Sequence, residues 1–237
     1  MIANYYSTPE LAAHYDEDCE GRTDFPFYLA LAQTLQAQRI IDIGCGTGLL
    51  CSQLAAQGHS LLGLEPQATM LDLARAQPSA SAARWIHGTA DDLPNGWADL
   101  VLMTGHVAQY FLDDDAWHHV LAEVHRSLRP DGHLAFEIRN DTVEEWRAWS
   151  TEAPKVMPAG TLRQEVRRDG DLITHTDHWV QDGRNWTTTE TLRFPSWPTV
   201  TRGLAQAGFM IANSWGDFDG QPIRPESPEW IILARQN

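Results

Sequence analysis

The chain has 237 residues, 43% of them hydrophobic and 21% charged, which are the proportions of a folded globular chain rather than a disordered one. Its formal net charge is −15, and Lys155 is its single lysine. So acidic a surface repels phosphate backbones and anionic bilayers, so neither nucleic acid nor membrane is expected as a partner. No apolar run approaches the roughly 18–20 residues that a bilayer span requires. The polar, acidic start MIANYYSTPELAAHYDED lacks the basic and apolar blocks of a signal peptide. Cysteines stand at 19, 45 and 51, an odd set with no CxxC pair. Neither a disulfide framework nor a cysteine zinc site is expected, and a reducing cytoplasmic setting fits.

Between residues 39 and 140 short apolar runs alternate with amphipathic stretches. Arg39 to Ile43 reads as a buried strand, followed by a glycine-rich turn and a helix over Leu49 to Gln57 that Gly58 can cap. Leu61 to Leu64 is the next strand. Pro66, at a first helical position, opens a helix carrying Met70, Leu71 and Leu73. Arg84 to His87 and Ala98 to Met103 are further strands. Residues 114–128 place Trp117, Val120, Leu121, Val124 and Leu128 at helical spacing, and Asp113, Asp114 and Asp115 suit that helix's N-terminus. Arg129 to Gly132 is a turn and His133 to Arg139 a strand. Repeated strand–helix alternation predicts an α/β fold, a parallel sheet with helices on both faces.

The rhythm changes near residue 160. Asp169-Gly170 and Asp182-Gly183 are the preferred two-residue hairpin turns, and they predict a three-stranded antiparallel meander within an insertion over 160–195. Counting from those turns pairs Val166 with Ile173, Gln164 with His175, His175 with Glu190 and Trp179 with Trp186. Gln164, His175 and Glu190 then form a polar strip on the face that holds the two tryptophans. The insertion is a candidate cover for a site or a dimer face. The opposite face, with Arg163, Glu165, Arg167 and a series of threonines, reads as solvated. After Pro195 and Pro198 a helix over 199–207 ends at Gly208, and strands follow at 209–215 and 230–235. The whole chain reads as one domain.

The chemistry concentrates in Ile41-Asp42-Ile43-Gly44-Cys45-Gly46-Thr47-Gly48, between a strand and a helix. Glycines there let the chain turn tightly and let a ligand touch bare backbone. Glu65 closes the second strand, whose end neighbours the first in a doubly wound sheet, where a carboxylate can accept both hydroxyls of a ribose. Together these features predict a nucleoside ligand. The glycines fall as G-x-G-x-G rather than the pyrophosphate-binding G-x-G-x-x-G, which disfavours a dinucleotide oxidoreductase.

At these residues the sequence resembles the class I S-adenosylmethionine-dependent methyltransferases, through IDIGCGTG, through LLGLE at the second strand, through His87 to Pro94, through Ala98 to Met103 and through Ser127 to Leu134. The resemblance covers residues 39–140 in order. It implies a Rossmann-like seven-stranded sheet of order 3-2-1-4-5-7-6 with strand seven antiparallel. It also implies that S-adenosyl-L-methionine lies against Gly44, Cys45 and Gly46, with Asp42 behind them. Glu65, with Pro66 next to it, takes the ribose and Met70 packs at the adenine. Ala90 and Asp91 meet the adenine edge, and Thr104 lies beside the sulfonium. Thr89 stands where the family often has Asp, which shifts the adenine amino contact to Asp91 or to backbone. The N-terminal segment and the insertion are similar in layout to small-molecule enzymes acting on amino sugars and related amines. An Asn/Asp-Pro-Pro-Tyr motif of nucleic-acid amine methylation is absent after the fourth strand, where Thr104-Gly105-His106-Val107 stands.

The reading that follows is methyl transfer by in-line displacement to a nitrogen or oxygen of a small soluble molecule. The alternative is a regulatory or scaffold protein that binds S-adenosylmethionine without catalysis. His106, at the carboxyl edge of the sheet with an ordinary pKa in the useful range, is the candidate base or substrate contact. Tyr15, in an N-terminal segment that closes over the cofactor in such enzymes, is the candidate aromatic partner of the sulfonium. The histidine pairs lack metal-ligand spacing, so no metal is expected. The tryptophans read as packing residues. The meander's edge offers a surface for a homodimer.

Overall fold

A computed structural model describes residues 2–78 and 80–237. In chain order the elements are β1 (Ile2–Ala3), α1 (Pro9–Ala12), α2 (Tyr15–Asp18), α3 (Asp24–Thr34), β2 (Arg39–Ile43), α4 (Leu49–Ala56), β3 (Ser60–Glu65), α5 (Ala68–Ala76), β4 (Ala83–His87), β5 (Ala98–Met103), α6 (Asp114–Ser127) and β6 (Leu128–Arg139). Then come β7 (Lys155–Met157), β8 (Gly160–Asp169), β9 (Leu172–Gln181), β10 (Arg184–Arg193), α7 (Trp197–Gln206), β11 (Phe209–Trp215) and β12 (Glu229–Gln236).

The main sheet has seven strands in the spatial order β4-β3-β2-β5-β6-β12-β11, and β12 runs antiparallel to both neighbours. This is the order 3-2-1-4-5-7-6 expected from the sequence. Its strands are apolar on both faces, as a sheet covered by helices requires. Along β2, Ile40 joins one core cluster with Leu50, Leu54 and Tyr28. The next residue, Ile41, joins the other with Val120, Leu121 and Leu204. That alternation packs α3 and α4 on one face and α6 and α7 on the other. Asp113 caps α6 by accepting from the Ala116 N–H at 2.8 Å.

Three local expectations need correction. α5 begins at Ala68 and not at Pro66, because a Glu65 oxygen accepts the Gln67 N–H at 2.8 Å and holds that residue extended as the N-cap. Arg129 to Gly132 does not separate two elements. It bulges out of β6, whose pairing with β5 passes from Ala98–Leu128 directly to Leu100–His133, with Asp131 at φ +64°. α7 starts at Trp197, since a proline in the first helical turn costs no hydrogen bond.

The second sheet is larger than a three-stranded meander. It has the order β1-β10-β9-β8-β7, with β1 parallel to β10 and β7 antiparallel to β8. The two added strands have two and three residues, too few to show an alternating pattern in sequence. The second hairpin has the expected register: Trp179 faces Trp186 and His175 faces Glu190 across the turn Asp182-Gly183, where both residues have positive φ. The first hairpin is displaced. Its turn is Gly170-Asp171, with glycine in the first central position, so Asp169 pairs with Leu172, Val166 with His175 and Gln164 with Asp177. The displacement keeps parity, so the expected face survives while the strip changes membership. Its row is Val166–His175–Glu190, and Asp177 joins the same face beside Gln164.

The N-terminal segment is bound into this sheet. Leu11, Leu162 and Trp179 form a small core with Tyr5 and Trp186 packed on it. Of the other late tryptophans, Trp197 and Trp230 meet edge-on at 5.4 Å and Trp215 packs on Phe27 at 5.1 Å, which is the packing role expected of them.

Candidate active site

The glycine turn after β2 is stitched to the end of β3. The N–H groups of Gly44 and Cys45 donate to the Leu64 carbonyl at 2.8 and 3.1 Å, and the Gly46 N–H donates to a Glu65 oxygen at 3.0 Å. Glu65 therefore accepts one backbone bond on each oxygen, from Gly46 and Gln67, and each oxygen retains a second lone pair. Burial raises its pKa while those two N–H groups pull it back. Two of the glycines are obligatory. A Cβ on Gly44 would lie 2.5 Å from Val107 Cγ2 at φ +70°, and one on Gly48 would lie 2.5 Å from Trp85 Cη2 at φ +76°.

Above this turn lies a cavity of about 450 Å³. Tyr15, Asp42, Gly44, Cys45 and Gly46 line it, as do Glu65, Pro66, Met70, Ala90 and Thr104, so the structure brings ten of the expected ligand contacts to one space. Asp91 is not among its walls. That side chain is exposed, accepts from Thr89 Oγ1 at 3.2 Å and pairs with His119 Nε2 at 2.8 Å. Thr89 and Ala90 do line the cavity. Asp91, His119 and Glu123 hold their ligand atoms within 4.8 Å of one another on the surface, but Glu123 is already paired with Arg126.

Asp42 is the most stressed group in the cavity wall. It is 2% exposed, and its Oδ1 has no hydrogen-bond partner. Its other oxygen receives only the weak Cys51 Sγ–H at 3.5 Å. Burial pushes its pKa up to about 7. An unpaired buried carboxylate at a cavity wall is a group built to meet a ligand's donor. Arg22 was not singled out in the sequence. It is the only Lys or Arg side chain lining the cavity among the described residues. Its guanidinium is held by Asp24, lies 4.5 Å above the Phe25 ring, and would sit 3.2 Å from a Cβ on Gly105. The cavity therefore offers one fixed cation and the carboxylates Asp16, Asp42, Glu65 and Glu190, a charge set suited to a zwitterion bearing a nucleoside.

Tyr15 sits with its ring edge 3.7 Å from where a Gly46 Cβ would be. Burial holds its hydroxyl protonated far above neutral pH, so it serves as an aromatic wall and not as a base. Thr47 Oγ1 donates to Asp16, which ties the segment carrying Tyr15 to the glycine turn.

His106 differs from expectation. It lies outside the main cavity lining, in a left-handed conformation with φ +65°. Burial, then the nearby Arg139 charge, pushes its pKa down to about 4. Its Nε2 is 2.9 Å from Glu229, whose own pKa burial pushes up to about 7. A neutral imidazole so weakened and engaged is a poor general base. The buried Glu137 explains its placement, since it accepts the His106 N–H at 2.7 Å and the Tyr28 hydroxyl. An acid inside the apolar run HLAFEI was the available signal for Glu137; for Arg22 the sequence carries none.

A second chamber of about 250 Å³ adjoins the first and shares Tyr6, Gly105, Tyr110 and Glu190 with it. His106, Arg139, Trp149, Gln164, His175 and Leu192 complete its walls. The polar strip of the meander thus faces a space continuous with the carboxyl edge of the main sheet.

The sheet order is the one that the resemblance to the S-adenosylmethionine-dependent methyltransferases implies. Residues 40–132 match the family described as a methyltransferase domain. An uncharacterised methyltransferase of Mycobacterium bovis is 32% identical over 144 residues, 58% of this chain and 50% of that protein. The chain spans about half the length of the curated relatives it matches. Among solved structures, the CcbJ methyltransferase of Streptomyces caelestis superposes with a TM-score of 0.84 at 18% identity, covering 98% of each chain. The amino pentose methyltransferase CalS10 of Micromonospora echinaspora, with S-adenosylmethionine bound, gives 0.68 at 19% identity over 95% of each. At these identities the likeness establishes the fold. Among the described residues no helix is long and apolar enough to cross a membrane.

Proposed function

We propose that this protein transfers a methyl group from S-adenosylmethionine to a nitrogen or oxygen atom of a small molecule by in-line displacement. The observation that carries the reading is the convergence, on one cavity, of the glycine turn, the Glu65 carboxylate with its spare lone pairs, the orphaned Asp42 oxygen and the single cation Arg22. When bound, the cofactor supplies a methyl carbon on positively charged sulfur, an already activated leaving group. The chain's own work is to hold and to exclude water. Glu65 accepts the ribose hydroxyls, Asp42 Oδ1 accepts an ammonium, and Arg22 pairs with a carboxylate. Tyr15 covers the glycine turn. The Methyltransferase-domain match, the fold shared with CcbJ and CalS10, and the second chamber opening beside Thr104 and Gly105 all support catalysis over binding alone. The acidic surface favours a small acceptor over nucleic acid or membrane, the unpaired cysteines fit a cytoplasmic setting, and the meander's edge remains a candidate dimer surface.

Calorimetry with S-adenosylmethionine and S-adenosylhomocysteine, followed by transfer of radiolabelled methyl to a panel of amines, alcohols and carboxylic acids, tests this reading. Binding of both ligands with turnover on one acceptor class supports it. Heat without turnover on any acceptor supports a non-catalytic binding protein, and no heat removes the cofactor assignment.

A further inference from the structure

We infer that the 250 Å³ chamber is the acceptor site and that Glu190, held by His175 and Asp177, selects a cationic amine as its occupant. The inference rests on the methyl-transfer reading and adds to it a place, a ligand class and a residue set.

The place follows from continuity. Glu190, Tyr6, Tyr110 and Gly105 border both spaces, and Gly105 directly follows Thr104 at the end of β5. A molecule seated in the chamber therefore has one end at the junction, where the larger cavity begins. At about 250 Å³ the chamber is smaller than the 450 Å³ cavity it adjoins and suits a small molecule.

The ligand class follows from the charge inventory. His175 Nδ1 lies 3.0 Å from Asp177 Oδ1 and its Nε2 lies 3.1 Å from Glu190 Oε2. Burial opposes a charge on this imidazole, but the bonds to both carboxylates prevail and its pKa stands at about 9. Two carboxylates around one imidazolium leave one negative charge unmatched. The other cation in the wall, Arg139, is already paired with Glu145 at 2.5 Å and donates to Gln109 Oε1 at 3.0 Å. His106 is neutral at physiological pH. The remaining walls are Tyr6, Tyr110, Trp149, Gly105, Gln164 and Leu192, with the Tyr6 and Tyr110 hydroxyls 2.9 Å apart and the Arg139 guanidinium 5.1 Å above the Trp149 ring. A surplus carboxylate beside tyrosine side chains is an arrangement that recognises an ammonium. An alcohol would leave the surplus charge unmatched, and a carboxylate or phosphate would be repelled. Glu190 is the one carboxylate of the strip on the junction itself, so it holds the ammonium there and takes the proton that the nitrogen must lose before its lone pair forms the C–N bond as the C–S bond breaks. Asp177 lines neither the main cavity nor this chamber and acts through His175 as a positioning residue.

The test compares two probes of nearly equal shape, cyclohexylammonium and cyclohexanol, in the presence of saturating S-adenosylhomocysteine at pH 7.5. Tryptophan fluorescence, with the Trp149 share taken as the difference from Trp149→Phe, and saturation-transfer NMR report occupancy of the chamber. The wild-type protein is expected to bind the amine at least tenfold more tightly than the alcohol. Glu190→Gln is expected to bring that ratio to within threefold of unity. Asp177→Asn is expected to reduce the ratio and to lower the midpoint of the His175 Cε1–H titration by at least one pH unit, a signature that a purely structural role would not produce. Equal binding of amine and alcohol by the wild type, absence of binding by both probes, or a preference that survives Glu190→Gln in a folded protein would overturn the proposal. Unchanged circular dichroism and S-adenosylhomocysteine affinity of the Glu190→Gln variant show that it is folded, so that collapse of the ratio reports the lost carboxylate. Failure of S-adenosylhomocysteine to bind is read separately, by calorimetry without probes. It would remove the cofactor reading, and the amine-to-alcohol ratio would then be measured on the free protein.

Discussion

Asp42→Asn should stabilise the protein at alkaline pH while weakening the site. The Asp42 carboxyl moves from an ordinary 3.8 to about 7 on folding, through burial. The folded state therefore binds its proton more tightly than the unfolded state does. The stability that this proton confers is full below about pH 3.8 and is lost as pH rises through 7. At about 1.36 kcal/mol per pH unit, the ionised carboxylate costs about 4 kcal/mol at pH 8 and about 1.7 kcal/mol at pH 5. The asparagine amide avoids the charge but places an NH₂ where Oδ1 has no partner, at a cost of about 1–3 kcal/mol. Relief outweighs that cost at pH 8, where the variant should be more stable by about 1–3 kcal/mol, and the two roughly cancel at pH 5. Urea unfolding followed by circular dichroism at both pH values measures the gap between variant and wild type. The gap should widen by about 2–3 kcal/mol from pH 5 to pH 8. A gap that stays constant, or a variant less stable at pH 8, would show that Asp42 is not a desolvated acid and would refute the reasoning.

Other outcomes follow from the same geometry. Glu65→Gln should weaken S-adenosylhomocysteine binding at least 100-fold, since two charge-assisted bonds to a ribose are worth roughly 1.5–3 kcal/mol each; calorimetry within threefold of wild type would contradict it. Arg22→Met should weaken S-adenosylhomocysteine at least tenfold and leave methylthioadenosine, which lacks the amino-acid carboxylate, nearly unchanged. Equal losses for both ligands would count against a carboxylate partner. Gly48→Ala should cost about 2–4 kcal/mol in unfolding free energy, because the new methyl meets Trp85 at 2.5 Å in a left-handed backbone; a change in thermal midpoint of under two degrees would show that the turn relaxes.

The main sheet was legible because its central strands are short, largely apolar runs between turn signals, and because the cavity-facing residues lie in local motifs. IDIGCGTG and LLGLE need no knowledge of long-range packing to be read, and the structure places both at the cavity. What sequence could not supply was set by contacts between distant elements. Arg22 reaches the cavity because Asp24 and Phe25 fix its side chain, and nothing in GRTDF distinguishes it from a surface arginine. His106 has an unremarkable local sequence, and only the fold buries it beside Arg139 and Glu229, turning a useful base into a weak one. The first hairpin shows the limit of turn chemistry. Asp169-Gly170-Asp171 contains two overlapping two-residue turns, and choosing the other one moves every partner by two positions. That choice hid Asp177, the residue that makes the strip a charged triad.

The segment that walls the larger cavity is mechanically part of the smaller sheet. β1 pairs with β10, Tyr5 packs on Trp179 at 5.5 Å, the Ala159 N–H donates to Asp18 at 3.3 Å, and Gln181 bonds His14 at 3.0 Å. Its ties to the other side of the crevice are Asp16 with Thr47 and Gln77, Ser7 with Thr69, and Tyr6 with Tyr110. On the proposed function, an opening that admits the nucleoside is expected to move this segment together with the smaller sheet, so that both chambers open as one jaw. Turnover is then expected to be sequential, with both ligands seated before either product leaves, and initial-rate kinetics would check it.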